Sequence, residues 1–367
     1  MSTTTSEHRR TGRHVVTVLA AMALVAACSG PDAARPILDP STPEVSAPPK
    51  VTDVETSDAP TTSQAPSDSD DGIRWSITDS PETGVLTMVV ADSSGRNITL
   101  DPSTEPSTNV AITMAMRSIY VKMRLPLGAD GSPDLVTAHP LILQGMPREG
   151  PEPVNCLLER PDVITVCIGF PQLDQRGSMN YADAANQPGD VSRVLDVILD
   201  NPDTFGIVDD HHIVYTGGSI GGITGLWFVH PLAHDPRLTA IAVTASFAPY
   251  WIPAFGDPAN WDFGPQILMV NGSEDTTITY ELARKTVEAA GGAKQLTIVT
   301  VIGADHGAPF GNCGTASAFY AAWMEAALTG SPAPSPDAVT TSGCSVLGLI
   351  DGGTSGPGSA APFIPAL

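Results

Sequence analysis

Positive charge is what this chain has least of. Lys and Arg number 18 against 40 Asp and Glu, a formal net charge of −22 over 367 residues. A surface of that sign repels polyanions and excludes nucleic acid as a partner; the acidity itself reads as a solubility device. Long apolar runs are also missing. The stretch Val15–Val25 falls short of the ~20 residues that a membrane-spanning helix needs. No internal repeat is visible, which sets repeat architectures aside. Aromatics make up only 5% of the chain, so any local concentration of them is informative. Only five cysteines occur, too few for a disulfide scaffold to replace a hydrophobic core.

What is present divides the chain into four parts. Residues 1–27 read as an export signal: Arg9, Arg10 and Arg13 precede the apolar Val15–Val25, and small residues follow. The stretch ends in Leu24-Val25-Ala26-Ala27-Cys28-Ser29-Gly30, which resembles the lipobox of bacterial lipoproteins. That resemblance implies a diacylglycerol on Cys28 and a protein lipid-anchored to the cell membrane on its extracytoplasmic face. Residues 28–72 are rich in Ser, Thr, Pro, Asp and Ala, cannot bury enough apolar surface to offset their ordering entropy, and read as a disordered tether. Residues 73–345 can hold one large domain, and residues 346–367 read as a flexible tail. Without residues 1–27, the chain keeps 15 basic and 39 acidic residues.

If Cys28 carries lipid, the four remaining cysteines suit an oxidising compartment. The sequence-near pairing is Cys156 with Cys167 and Cys313 with Cys344, although Cys167 could also be a buried strand residue.

Within the domain, short β-rich runs alternate with helical patterns, the signature of an α/β fold with a mostly parallel sheet covered on both faces. Strands are expected at Pro140–Leu143, Val163–Ile168, His212–Tyr215, Leu238–Val243, Gln266–Val270 and Leu296–Val301. Helices are expected from an Asp190 cap through Val191, Val194, Leu195 and Ile198, and at Ile220–Val229, Tyr280–Ala290 and Thr315–Leu328. Val85–Val90 and Ile119–Leu125 read as antiparallel strands at one edge.

The chemistry concentrates at His212-Ile213-Val214-Tyr215-Thr216-Gly217-Gly218-Ser219-Ile220-Gly221-Gly222. A strand, then Gly-x-Ser-x-Gly, then a helix is a nucleophile elbow. The glycines stand where a Cβ would collide with a neighbouring strand or helix. A competing dinucleotide loop, TGxxxGxG, lacks its last glycine, where Ile223 stands, and comes far from the start of the domain. A serine needs a base oriented by an acid. Asp275 follows the strand Gln266–Val270 in Asn271-Gly272-Ser273-Glu274-Asp275, and His306 follows Val299–Ile302 in Gly303-Ala304-Asp305-His306-Gly307. The order Ser219, Asp275, His306 is that of an α/β-hydrolase triad. Glu274 is the poorer acid, Asp305 reads as a surface or supporting carboxylate, and His139, His211 and His212 read as structural. The oxyanion would be held by the amides of Ile220 and of Met146, in Gln144-Gly145-Met146-Pro147.

These residues make the domain resemble the α/β-hydrolase superfamily over roughly residues 80–330. The resemblance implies a serine hydrolase that needs no metal or organic cofactor. Leu143-Gln144-Gly145-Met146-Pro147-Arg148 and Asp174-Gln175-Arg176-Gly177 are similar to loops of proline-iminopeptidase-like enzymes, with Gln144, Met146 and Arg148 in place of that family's His, Gly and Gly. Only 56 positions separate Ser219 from Asp275, so the cap is minimal. The aromatics between them, with Tyr250, Trp251, Phe255 and Trp261 foremost, either line a substrate pocket or pack into the core. A small-molecule or lipid ester is the expected substrate. A peptidase or amidase on the same triad, and a non-catalytic binding lipoprotein, remain as alternatives.

Overall fold

A computed structural model describes residues 73–92, 117–145, 156, 158–170, 186–249, 255, 257–261, 264–290, 296–335 and 346–351. In chain order the elements are β1 (Ile73–Glu82), β2 (Val85–Asp92), β3 (Arg117–Arg124), β4 (Ala138–Gly145), β5 (Ile164–Gly169), α1 (Gln187–Asp200) and α2 (Pro202–Phe205). They continue with β6 (Ile207–Gly218), α3 (Ile220–Trp227), β7 (Ala240–Thr244), α4 (Pro258–Trp261), β8 (Gln266–Gly272), α5 (Tyr280–Ala290), β9 (Leu296–Val301), α6 (Gly314–Thr329) and β10 (Val346–Asp351).

Ten strands form one sheet in the order β1-β2-β3-β5-β4-β6-β7-β8-β9-β10. The six central strands from β5 to β9 are parallel to one another. Antiparallel pairs close both edges. The apolar runs of the central strands explain their place: β5 is buried at all six residues, and β8 at its last six. One face of the sheet packs against α1, α3 and α5 through Val194, Ile198, Leu226 and Ala283. The other packs against α6 through Ala316, Phe319, Trp323 and Met324. Each of the larger side chains among these, once fully buried, contributes ~1.5–3 kcal/mol. This is an α/β-hydrolase fold, and its parallel strands aim their carboxyl ends at one edge, where ligands bind in open α/β sheets.

Five elements differ from the sequence reading, the short helices α2 and α4 among them. β1 was not expected; its polar residues hide an alternation of Ile73, Trp75 and Ile77, and it pairs with β2. The stretch assigned to a loose tail from residue 346 contributes β10, antiparallel to β9. Asp190 is not a helix cap. Helix α1 starts three residues earlier, after Asn186 and with a proline in its first turn, because proline's fixed φ suits that position. Asp190 is buried inside the first turn instead.

The disulfide Cys156–Cys167 is present. Cys313 is also disulfide-bonded, while its expected partner Cys344 and the lipid-bearing candidate Cys28 lie outside the described residues. Among the described residues no helix is long and apolar enough to cross a membrane.

Candidate active site

Ser219 sits between the end of β6 and the start of α3 with φ 52° and ψ −122°. Few non-glycine residues adopt such a backbone, and holding one there costs on the order of 1–3 kcal/mol. Two hydrogen bonds offset the strain: the Ser219 N–H donates to the Thr244 carbonyl (3.0 Å), and the Ser219 carbonyl accepts from the Ile223 N–H (2.9 Å). The flanking glycines answer a steric demand. A Cβ on Gly217 would lie 2.6 Å from the Gly221 backbone, and one on Gly221 would lie 2.2 Å from the Gly145 carbonyl oxygen. Helix, turn and β4 therefore approach at distances only glycine permits.

The turns after β8 and β9 bring the other two residues to the same edge. His306 Nε2 lies 3.0 Å from Ser219 Oγ, and His306 Nδ1 lies 2.8 Å from Asp275 Oδ2. The Asp275 side chain is fully buried, and its second oxygen accepts from the N–H groups of Thr277 (2.8 Å) and Ile278 (2.7 Å). A carboxylate held that way is fixed in orientation and points one lone pair at the imidazole. Glu274 and Asp305 are exposed; Asp305 accepts from the Ala308 N–H (2.8 Å) and shapes the loop beyond His306.

The two turns are stitched to each other. The Gly303 N–H donates to Ser273 Oγ (2.9 Å), the Glu274 N–H donates to the Ala304 carbonyl (2.9 Å), and the Ser273 N–H donates to the Val301 carbonyl (2.9 Å). Behind the elbow, Asn271 spans the main chain of Ser246 through both ends of its amide, holding the turn after β7 where Ala245 has φ 46°. Sequence reasoning missed these supporting residues because each contact joins segments more than twenty positions apart, and no local pattern announces it.

The Ile220 N–H is at the first position of α3, where a helix leaves its amides without an intrahelical partner. The other expected donor, Met146, lies outside the described residues, as do Asp174 to Gly177, Tyr250 and Trp251. Gln144 is buried, and its amide clamps Leu158: the Leu158 N–H donates to Gln144 Oε1 (3.0 Å), and Gln144 Nε2 donates to the Leu158 carbonyl. It secures the chain beside the Cys156–Cys167 disulfide.

Of the two readings open for the aromatics, Phe255 and Trp261 pack as core residues do. Phe255 and Trp261 are 0% and 1% exposed and belong to the core. Phe255 packs edge-on to Trp227 with ring centroids 5.0 Å apart, and Trp261 Nε1 donates to the Phe255 carbonyl (2.8 Å). In a chain with few aromatics, burying large rings between helix and sheet contributes more than displaying them to solvent.

Among the described residues no group of three or more His, Cys, Asp or Glu side chains could hold a metal ion. What the arrangement can do chemically is move a proton from the serine hydroxyl to the imidazole beside a fixed carboxylate.

No family model and no curated protein matches this chain. Among solved structures, it is similar to a puromycin-hydrolysing peptidase of Mycobacterium tuberculosis, with 13% identity and a TM-score of 0.43 over 71% of this chain and 46% of that one. It is also similar to TT1662 of Thermus thermophilus, with 15% identity and a TM-score of 0.40 over 57% of this chain and 94% of that one. The chain thus spans less than half the length of the peptidase. At these values the likeness bears on neither activity nor substrate; the fold rests on the strand order itself.

Proposed function

We propose that this protein is a serine hydrolase that cleaves carboxylic esters through Ser219, His306 and Asp275. The observation that carries the reading is the unbroken hydrogen-bond chain from Ser219 Oγ through the imidazole to a buried carboxylate, built on a strained turn. In the reaction, Ser219 Oγ attacks the carbonyl carbon while His306 Nε2 takes the hydroxyl proton. Asp275 holds the imidazole by its Nδ1–H and stabilises the imidazolium. The Ile220 amide, with Met146 as its partner donor, stabilises the oxyanion. Collapse passes the proton from His306 to the departing alcohol and leaves an acyl-serine. Water then attacks the acyl-serine as His306 takes its proton, and the carboxylic acid leaves with Ser219 restored.

An amide or peptide substrate would use the same groups, and the likeness of residues 143–147 and 174–177 to peptidase loops favours it as the second reading. The protein's place in the same proposal is the extracytoplasmic membrane face, through lipid on Cys28; a disulfide agrees with an oxidising compartment.

The test is a fluorophosphonate probe on the full chain beside Ser219→Ala and His306→Ala. Labelling of the wild type that disappears in both variants is the expected result. A folded wild type that takes no label would sink the hydrolase reading in favour of a binding lipoprotein. Turnover of acyl esters against aminoacyl anilides then ranks the two substrate classes.

A further inference from the structure

One buried hydroxyl in this molecule serves no need of packing. Tyr215 lies on β6 four residues before Ser219 and is 0% exposed, with its ring 5.5 Å from that of Phe228. A phenylalanine would fill the same space without a polar atom. A buried hydroxyl without a partner costs about 1–3 kcal/mol, so its partner matters. The Tyr215 hydroxyl donates to the Gly221 carbonyl oxygen (2.7 Å), in the first turn of the helix that follows the serine.

The same ring tip touches the end of β4. A Cβ added to Gly145 would stand 1.9 Å from the Tyr215 hydroxyl oxygen, and one added to Gly221 would stand 2.2 Å from the Gly145 carbonyl oxygen. Tyr215, Gly145 and Gly221 are thus in three-way contact, joining the strand end that leads to residue 146 with the helix that begins at Ile220. The neighbouring carbonyl is held as well. Thr224 Oγ1, also fully buried, reaches the Ile220 carbonyl oxygen (3.1 Å) and the Gln187 side chain. The Gly221 carbonyl thus carries a side-chain hydrogen bond, and the Ile220 carbonyl competes with Gln187 Oε1 for the one Thr224 hydroxyl proton.

We propose that the Tyr215 hydroxyl, seconded by Thr224, is a positioning group that sets the first turn of α3 against Gly145, and with it the aim of the Ile220 N–H at the oxyanion. This rests on the serine-hydrolase reading above. Tyr215 touches no reacting atom. Its effect passes through the orientation of peptide planes, to which catalysis is sensitive at well under an ångström. Deleting a direct oxyanion donor costs about 10²–10³ in kcat. A group that only orients one is expected to cost about tenfold, with substrate binding unchanged.

The experiment measures kcat, KM and Tm for the full chain and for Tyr215→Phe, Thr224→Val and Thr224→Ser on one acyl ester. Rates are expressed per site titrated to completion with a fluorophosphonate. The expected result is a kcat about tenfold lower in Tyr215→Phe, lower again than wild type in Thr224→Val, and restored to within about twofold in Thr224→Ser, with KM and the pH profile unmoved. A lower Tm with unchanged kcat per titrated site in Tyr215→Phe or Thr224→Val would reduce the hydroxyls to fold stability and overturn the proposal. Should Tyr215→Phe fail to fold, the Thr224 pair decides alone. A wild type that neither labels nor turns over ester would instead bring down the hydrolase reading, and this proposal with it.

Discussion

Two ends of one sheet each carry a histidine bonded to an aspartate, and their surroundings differ in ways that bear on what each pair can do. At the carboxyl end of the strands, His306 lies 2.8 Å from Asp275, whose side chain is fully buried. Near the other end, on β6, His212 lies 2.7 Å from Asp209, three residues away, with the aspartate side chain 30% exposed. The distances are nearly equal, so distance decides nothing. What differs is the rest of each ring and each carboxylate. His306 presents Nε2 to a serine hydroxyl, whereas the His212 ring tip lies where a side chain on Gly330 would stand. Asp275 takes two backbone N–H donors from a tight turn; Asp209 accepts from one, that of His211, among described hydrogen bonds. A dry, doubly anchored carboxylate orients an imidazole; a half-wet neighbour in sequence ties down a strand.

The contrast can be broken most directly by neutralising each carboxylate. Asp275→Asn should lower kcat by about 10⁴, because an amide presents the wrong hydrogen-bonding partner to Nδ1–H. Asp209→Asn should leave kcat within about twofold, since among the described residues its hydrogen bonds run to His211 and His212 and not to Ser219 or His306. Equal effects in steady-state ester kinetics would show that the two pairs are not distinct in role.

The glycines sharpen the same contrast through stability. Gly221→Ala drives its Cβ into the Gly145 carbonyl oxygen, a backbone atom with no room to yield, and should cost about 3 kcal/mol or more. Gly330, which caps α6 with φ 65°, would set a Cβ against the tip of the His212 ring, a side chain able to shift, so Gly330→Ala should cost about 1–2 kcal/mol of left-handed strain. Urea unfolding of the two variants orders them, and a milder effect at Gly221 would contradict the close approach of elbow and β4.

The smallest expected effect is in acid. The hydrogen bond from His212 lowers the Asp209 carboxyl below its ordinary value, against an opposing contribution from burial. A carboxyl lowered on folding adds stability above its unfolded value near 4 and loses it as pH falls through the lower folded value. Asp209→Asn should therefore lower Tm by about 1 °C or less above pH ~4, a deficit that closes in more acid solution. A deficit that widens below pH ~4 would reverse the assigned direction.

Much of the architecture was legible because it is local. The central strands and α5 appear where apolar periodicity placed them, and Gly217-x-Ser219-x-Gly221 is a motif read within five residues, although the atom that crowds Gly221 belongs to Gly145. Asp275 and His306 were legible through their setting, each in a polar turn just past an apolar strand. β10 was not legible, since a Gly-rich surrounding conceals a strand whose pairing energy comes from β9. The place of Phe255 and Trp261 stayed open for a related reason. Their composition is the same for a pocket wall as for a core, and only their contacts with Trp227 and the main chain distinguish the two.

By itself, then, the sequence determined the order of the central strands and main helices, the turn that carries Ser219, and the chain order of the three candidate residues. Those properties follow from periodicity and from which residues tolerate a given φ. Only the tertiary structure decided which histidine meets which hydroxyl, which aspartate is dry, and what the Tyr215 hydroxyl touches. These are distances between segments remote in sequence, and they exist only once the sheet has brought its strand ends together.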